Sequence, residues 1–149
     1  MSVCYHKAHI GEDDFRVLLA NLTGGDRVTT GRQVPYCLFT DPELARVGLS
    51  EREVRERGVS YRLAKLPMGG VLRARTLSET RAFYKAVVET DGDRILGFTA
   101  FGPAAGEVMA VVQVAILAGL PYTALRDAVL THPTMSEGLA GLFGSVPNG

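Results

Sequence analysis

Ala82-Phe83-Tyr84-Lys85-Ala86-Val87-Val88-Glu89-Thr90-Asp91-Gly92-Asp93-Arg94-Ile95-Leu96-Gly97-Phe98-Thr99-Ala100-Phe101 decides the fold. Two runs rich in aromatic and β-branched residues flank Asp91-Gly92, the pairing expected of a β-hairpin whose tight turn has positive φ. A hairpin forces its two strands antiparallel, so the sheet around it is expected to be antiparallel too. Upstream, Val59 to Leu66 alternates, with Val59, Tyr61 and Leu63 on one face, and reads as a half-buried strand. Pro67 to Gly70 breaks the pattern, and Val71 to Leu77 is expected as an irregular strand. Further back, Val34 to Thr40 reads as a strand kept near an edge by Pro35, Asp41-Pro42-Glu43 as a turn, and Ala45 to Leu49 as another strand. Between them Ser50 and Glu53 stand in capping-box spacing, which predicts a short helix to about Arg57, stopped by Gly58.

Downstream of the hairpin the period changes. Ala104 to Ala118 is a helix apolar on nearly every side, broken only by Glu107 and Gln113, and needs cover all round. Glu107, in the first turns, complements the helix dipole rather than serving a reaction. Gly119 ends that helix, Pro121 starts another through about Leu130, and a third is expected from Thr134 to about Phe143. Strands first and helices later predict an α+β fold: a mostly antiparallel sheet of about five strands with helices packed on it. At the other end, Phe15, Leu18, Leu19 and Leu22 recur at helical spacing within Glu12 to Leu22, before Gly24-Gly25. Residues 29–33 are a polar loop.

At 149 residues, 46% apolar and 21% charged, the chain suits one folded domain with a real core. The formal net charge of zero gives no electrostatic case for nucleic acid or an anionic membrane surface. Arg73, Arg75 and Arg81 are expected to line a solvated strand face. The two cysteines, Cys4 and Cys37, are too far apart for a CxxC redox or zinc pair, and Cys37 reads as a small buried hydrophobe. His6 and His9 share a helical offset but make a poor metal site near a terminus, so none is expected. The N-terminus lacks an apolar signal region, and Val108 to Leu120 is too short to span a bilayer; a cytoplasmic, reducing setting is the default.

Chemistry concentrates in Thr131-His132-Pro133-Thr134-Met135-Ser136-Glu137-Gly138. His132, before a proline, is biased away from helical dihedrals and sits on a turn. An imidazole exchanges protons near neutrality, and Glu137, one helical turn on, can orient it. The same Glu137 can instead close a capping box on the Thr134 amide, leaving His132 an ordinary turn histidine. Both remain open on spacing alone. A hydrolase using His132 with Ser136 or Thr134 is disfavoured, because Ser136 falls inside the capped turn and no oxyanion-hole motif is visible.

The His132-Pro133-Thr134-x-x-Glu137 stretch resembles the C-terminal signature of the flavin-dependent pyridine nucleotide-disulfide oxidoreductases. Val34 to Leu49, Lys65-Leu66-Pro67, Gly92 to Gly97 and Gly102-Pro103-Ala104-Ala105-Gly106-Glu107 resemble the same family in the same order, covering roughly residues 12 to 143. The Phe39 to Glu43 and Ala45 to Leu49 wording is most similar to the mercuric reductase-like branch. Residues 145–149, however, lack the cysteine pair of true mercuric reductases, which favours a thiol or disulfide-type substrate for the full-length relative. The resemblance implies a dimerisation domain at 31–144, a remnant of the flavin domain's last helix within 1–30, and a loose tail at 145–149. It also implies that His132 and Glu137 form a catalytic proton-relay pair for the redox thiols of a partner subunit.

Members of this family use FAD and NAD(P)H. The chain has no G-x-G-x-x-G turn and no Cys-x4-Cys pair, so no cofactor is expected to bind this portion alone. The expected function is therefore homodimerisation, without catalysis by the isolated chain. The alternative is a part that completes the active site of a separate flavin-bearing chain.

Overall fold

The computed structural model describes residues 8–148; Cys4 and His6 lie outside them. The chain divides into two compact units, Met1–Val34 and Pro35–Gly149.

In the first unit, α1 (Ala8–Leu22) begins four residues before the expected Glu12. The Thr23 hydroxyl donates to the Leu19 and Ala20 carbonyls and Gly24 takes a left-handed φ of 90°, which closes the helix. Arg27 pairs with Asp13, and Arg32 with Asp13 and Asp14, folding the polar loop back on the helix. The row Phe15, Leu18, Leu19 and Leu22 is exposed.

The second unit is an α+β layer built on one five-stranded sheet, every pairing antiparallel. Its strands are β1 (Tyr36–Leu38), β2 (Leu44–Gly48), β3 (Tyr61–Pro67), β4 (Phe83–Glu89) and β5 (Ile95–Phe101), in the order β1-β2-β5-β4-β3. The hairpin at the centre is β4–β5, in register Phe83↔Phe101, Tyr84↔Ala100 and Ala86↔Phe98. Its turn differs from expectation. Gly92 does not take a positive φ, and the Glu89 amide bonds to the Arg94 carbonyl across a wider loop. Beside the loop the register slips from Val87↔Gly97 to Val88↔Ile95, leaving Leu96 as the extra residue of a bulge. Ile95 and Phe98 consequently point to one face of the sheet and Leu96 to the other.

On the first face α4 (Ala105–Leu117) lies over β2 and β5, and α6 (Gly138–Gly144) over β3 and β4, with α5 (Tyr122–Arg126) against α6. The main core sits between: Val47, Tyr84, Ala86 and Phe98 from the sheet meet Val108, Val112, Leu139 and Phe143 from the helices, all essentially buried. Each large apolar side chain there contributes about 1.5–3 kcal/mol by leaving water. On the second face α2 (Glu51–Glu56) inserts Val54 against Val87 and Leu96. The expected capping box of α2 is present in full, Ser50 and Glu53 each bonding the other's amide.

Four further local expectations are overturned. Val71 to Leu77 is not a strand; a 3-10 turn (Met68–Gly70) leads into a helix, α3 (Leu72–Thr76). The buried Met68, Val71 and Ala74 recur every three residues, a helical period, and Arg73 and Arg75 stand on its exposed side. The helix after Pro121 stops at Arg126, well before Leu130. The third helix starts at Gly138 rather than Thr134. Of residues 145–149, expected as a loose tail, Val146 is buried in the core and the Pro147 carbonyl accepts from Arg62.

Candidate functional site

Residues 131–137 form an irregular turn between α5 and α6. The Thr134 hydroxyl organises it, donating to the Thr131 carbonyl at 2.7 Å and accepting from the Glu137 amide at 3.2 Å. That is half of a capping box. The other half is missing, because Glu137 turns its carboxylate to the imidazole: Oε1 lies 2.7 Å from His132 Nδ1. An ionised carboxylate accepts only, so in this contact Nδ1 is the donor. The His132 side chain is 62% exposed, against 33% for Glu137, so the ring faces outward and its orienting group inward. Glu137 Oε2 is enclosed and has no hydrogen-bond partner among the described residues. The His132-Pro133 peptide is cis.

The turn is seated on the core. A Cβ on Gly138 would lie 2.7 Å from Val71 Cγ2 and 2.9 Å from Tyr84 Cε2, so only glycine lets α6 start this close to α3 and β4. The Met135 carbonyl accepts from the Gly138 amide at 3.2 Å and from the Tyr84 hydroxyl at 3.3 Å. Beside Glu137 a cavity of about 280 Å³ is bounded by Leu66, Gly70, Val71 and Leu72. Reading the sequence missed Tyr84 and Gly138. The signal for Tyr84 was a phenol on the strand face whose other members, Ala86 and Val88, are apolar, because a buried hydroxyl needs a partner.

The other candidates do not join the pair. Cys37 is half-buried on edge strand β1 against Gly106 of α4 rather than fully buried. Burial pushes its thiol pKa up, with the carboxylates of Glu43 and Glu107 adding to the effect, so its reactive thiolate is disfavoured. Glu107 is exposed in the first turn of α4, where it complements the dipole. The Thr134 hydroxyl is committed to the turn, leaving it no bond to His132. α4 is a long helix preceded by a glycine turn, but its Gly106 amide is bonded to the Glu43 carboxylate. An anion already at that position opposes a dinucleotide pyrophosphate, so these residues do not fit that group. Among the described residues no three or more His, Cys, Asp or Glu side chains are gathered to hold a metal, and no helix is long and apolar enough to cross a membrane. A cavity of about 670 Å³ between Leu49, Val59, Leu96 and Ile116 contains neither His132 nor Glu137.

Residues 34–142 match the pyridine nucleotide-disulphide oxidoreductase dimerisation domain. The chain is 40% identical over 140 residues to the probable pyridine nucleotide-disulfide oxidoreductase RclA of Escherichia coli (strain K12), covering 93% of this chain and 32% of that protein. It is 32% identical over 146 residues to mitochondrial dihydrolipoyl dehydrogenase of Homo sapiens, covering 95% of this chain and 29% of that one. Among solved structures, the HOCl-induced flavoprotein disulfide reductase RclA from Escherichia coli matches with a TM-score of 0.89 and 40% identity, over 93% of this chain and 32% of that chain. The 149 residues thus span about a third of the length of the curated relatives they match.

Proposed function

From a chain that belongs to the pyridine nucleotide-disulphide oxidoreductase family through its dimerisation domain, we propose a homodimer in which each copy presents His132 to the redox site of its partner. In this reading Glu137 holds Nδ1–H, and Nε2 accepts and returns the proton of a redox thiol. The observation that carries it is the 2.7 Å contact between Nδ1 and the Glu137 carboxylate, combined with a ring left open to its surroundings. An oriented imidazole with one free nitrogen is the arrangement general acid–base transfer needs. It needs a reacting group from elsewhere.

Neither the flavin nor the thiols of this reading come from the 149 residues, which carry no G-x-G-x-x-G turn and no Cys-x4-Cys pair. The proposed substrate class for the complete enzyme is a thiol or disulfide, in line with the description of RclA as a flavoprotein disulfide reductase. The pairing of copies is supported by α4, whose sheet-averted face shows Val114 and Leu117 each 65% exposed. Such a stripe costs stability until something covers it.

A chimera tests the relay. Residues 34–149 replace the corresponding domain of Escherichia coli RclA, and disulfide reduction is measured with and without His132→Ala. The intact chimera should turn over, and the substitution should cost about 10²- to 10⁴-fold, the usual contribution of a positioned acid–base group. An active chimera indifferent to His132→Ala overturns the reading.

A further inference from the structure

We propose that the buried Tyr84 hydroxyl is a positioning group for the His132–Glu137 pair, holding the turn at the height where the Glu137 carboxylate meets Nδ1. The inference rests on the proton-relay reading and deepens it. Tyr84 lies on the interior strand β4, opposite Leu66 of β3 and Ala100 of β5, and is 0% exposed. A phenylalanine would fill that place without the cost of desolvating a hydroxyl. Among the described residues the hydroxyl bonds to the Met135 carbonyl, 51 residues away in sequence and between His132 and Glu137.

The same side chain meets the turn a second time. Its ring edge occupies the space that a Cβ on Gly138 would need. Tyr84 therefore touches the residues on both sides of Ser136-Glu137, through hydrogen bond and through packing. Burial raises the phenol pKa well above its ordinary value, so the group stays a neutral donor wherever the protein is folded. Being fully enclosed, it cannot touch a substrate and acts only through the turn. Hydrogen-bond strength falls steeply with distance and angle, so a small shift of the Met135 peptide opens the 2.7 Å contact.

The test uses the chain itself with ¹⁵N-labelled histidine. Tyr84→Phe keeps the ring and removes the donor. The variant should fold, while its His132 Nδ1–H exchanges with water about five- to tenfold faster, the ratio expected for one lost buried hydrogen bond. The neutral imidazole should also lose its preference for the Nδ1–H tautomer. Tyr84→4-aminophenylalanine, which restores a donor at the same place, should slow the exchange again.

A residue that only packs would lower the melting temperature of the Phe variant and leave the imidazole signals alone; that result overturns the proposal. Independent of any substitution, the wild-type Tyr84 hydroxyl proton should exchange slowly, and exchange as fast as an exposed tyrosine's also overturns it. Glu137→Gln reports separately on the underlying pairing. Imidazole signals unchanged by Glu137→Gln sink the pairing itself, whereas signals that respond to Glu137→Gln but not to Tyr84→Phe sink the positioning role alone.

Discussion

A carboxylate three residues after a threonine and five after a histidine can serve either one, and spacing leaves the choice open. Packing makes it. Thr134 holds the Glu137 amide through its hydroxyl, and the carboxylate then reaches His132 Nδ1. In the RclA chimera Glu137→Gln should therefore lower turnover by at least about tenfold, up to the ~10⁴-fold known for an orienting carboxylate in a triad. Steady-state kinetics with an unchanged substrate KM would mark the loss as one of proton transfer. The sequence could offer the pair as one of two candidates because both residues fall within six positions. Tyr84 could not, since its partner lies 51 residues on and only the fold brings them together. Glycines divide the same way. A Cβ on Gly97 would lie 1.9 Å from the Leu49 carbonyl oxygen, while one on Gly92 meets only the flexible tip of Glu89. Gly97→Ala should cost roughly 3 kcal/mol or more in denaturant unfolding, and Gly92→Ala no more than about 1 kcal/mol. A large penalty at Gly92 would mean that its loop needs a left-handed residue after all.

Elements declared themselves where one period ran long enough. The β4–β5 hairpin and α4 each carry more than six residues of clear pattern, and both stand close to where the sequence puts them. Short elements did not. α3 is five residues long, and its one buried residue, Ala74, with Val71 just before it, is too little to separate a helical from a strand period without Met68. The loop between β4 and β5 shows a different limit. Asp91-Gly92 signals a tight turn, but Arg62 of β3 bonds the Glu89 and Gly92 carbonyls and approaches Asp93, favouring a wider loop. Its third hydrogen bond, to the Pro147 carbonyl, ties the C-terminal residues to the same point, and its guanidinium lies 5.3 Å over the Tyr122 ring. The side chain is only 12% exposed, so these bonds are poorly replaced by water. Arg62→Met, which keeps most of the stem, should destabilise the fold by about 2–4 kcal/mol in chemical denaturation. Hydrogen exchange should also quicken at Val146 before it does at Phe98. Equal acceleration at both would show a global loss instead of a released clasp.

α4 is only partly covered by its own sheet. Its buried face, Ala105, Val108, Met109, Val112 and Ala115, follows the helical period onto the sheet, and one sheet covers only one side. Ala110, Val114 and Leu117 are left on the other side, the half of the helix that no period in a single chain explains. The proposed second copy would cover it, and symmetry sharpens the expectation. In a two-fold interface each substitution acts twice, so a residue worth about 1.5 kcal/mol per copy counts for about 3 kcal/mol in the dimer. Sedimentation velocity should find the chain dimeric at micromolar concentration. Val114→Ala with Leu117→Ala should weaken association by at least about a hundredfold, with the circular dichroism of the monomer unchanged because neither side chain is in the core. A wild-type chain that stays monomeric at those concentrations would assign this stripe to another part of a longer polypeptide. The pairing of copies through α4 would then fail, while the His132–Glu137 contact, made within one chain, would stand or fall on the chimera alone.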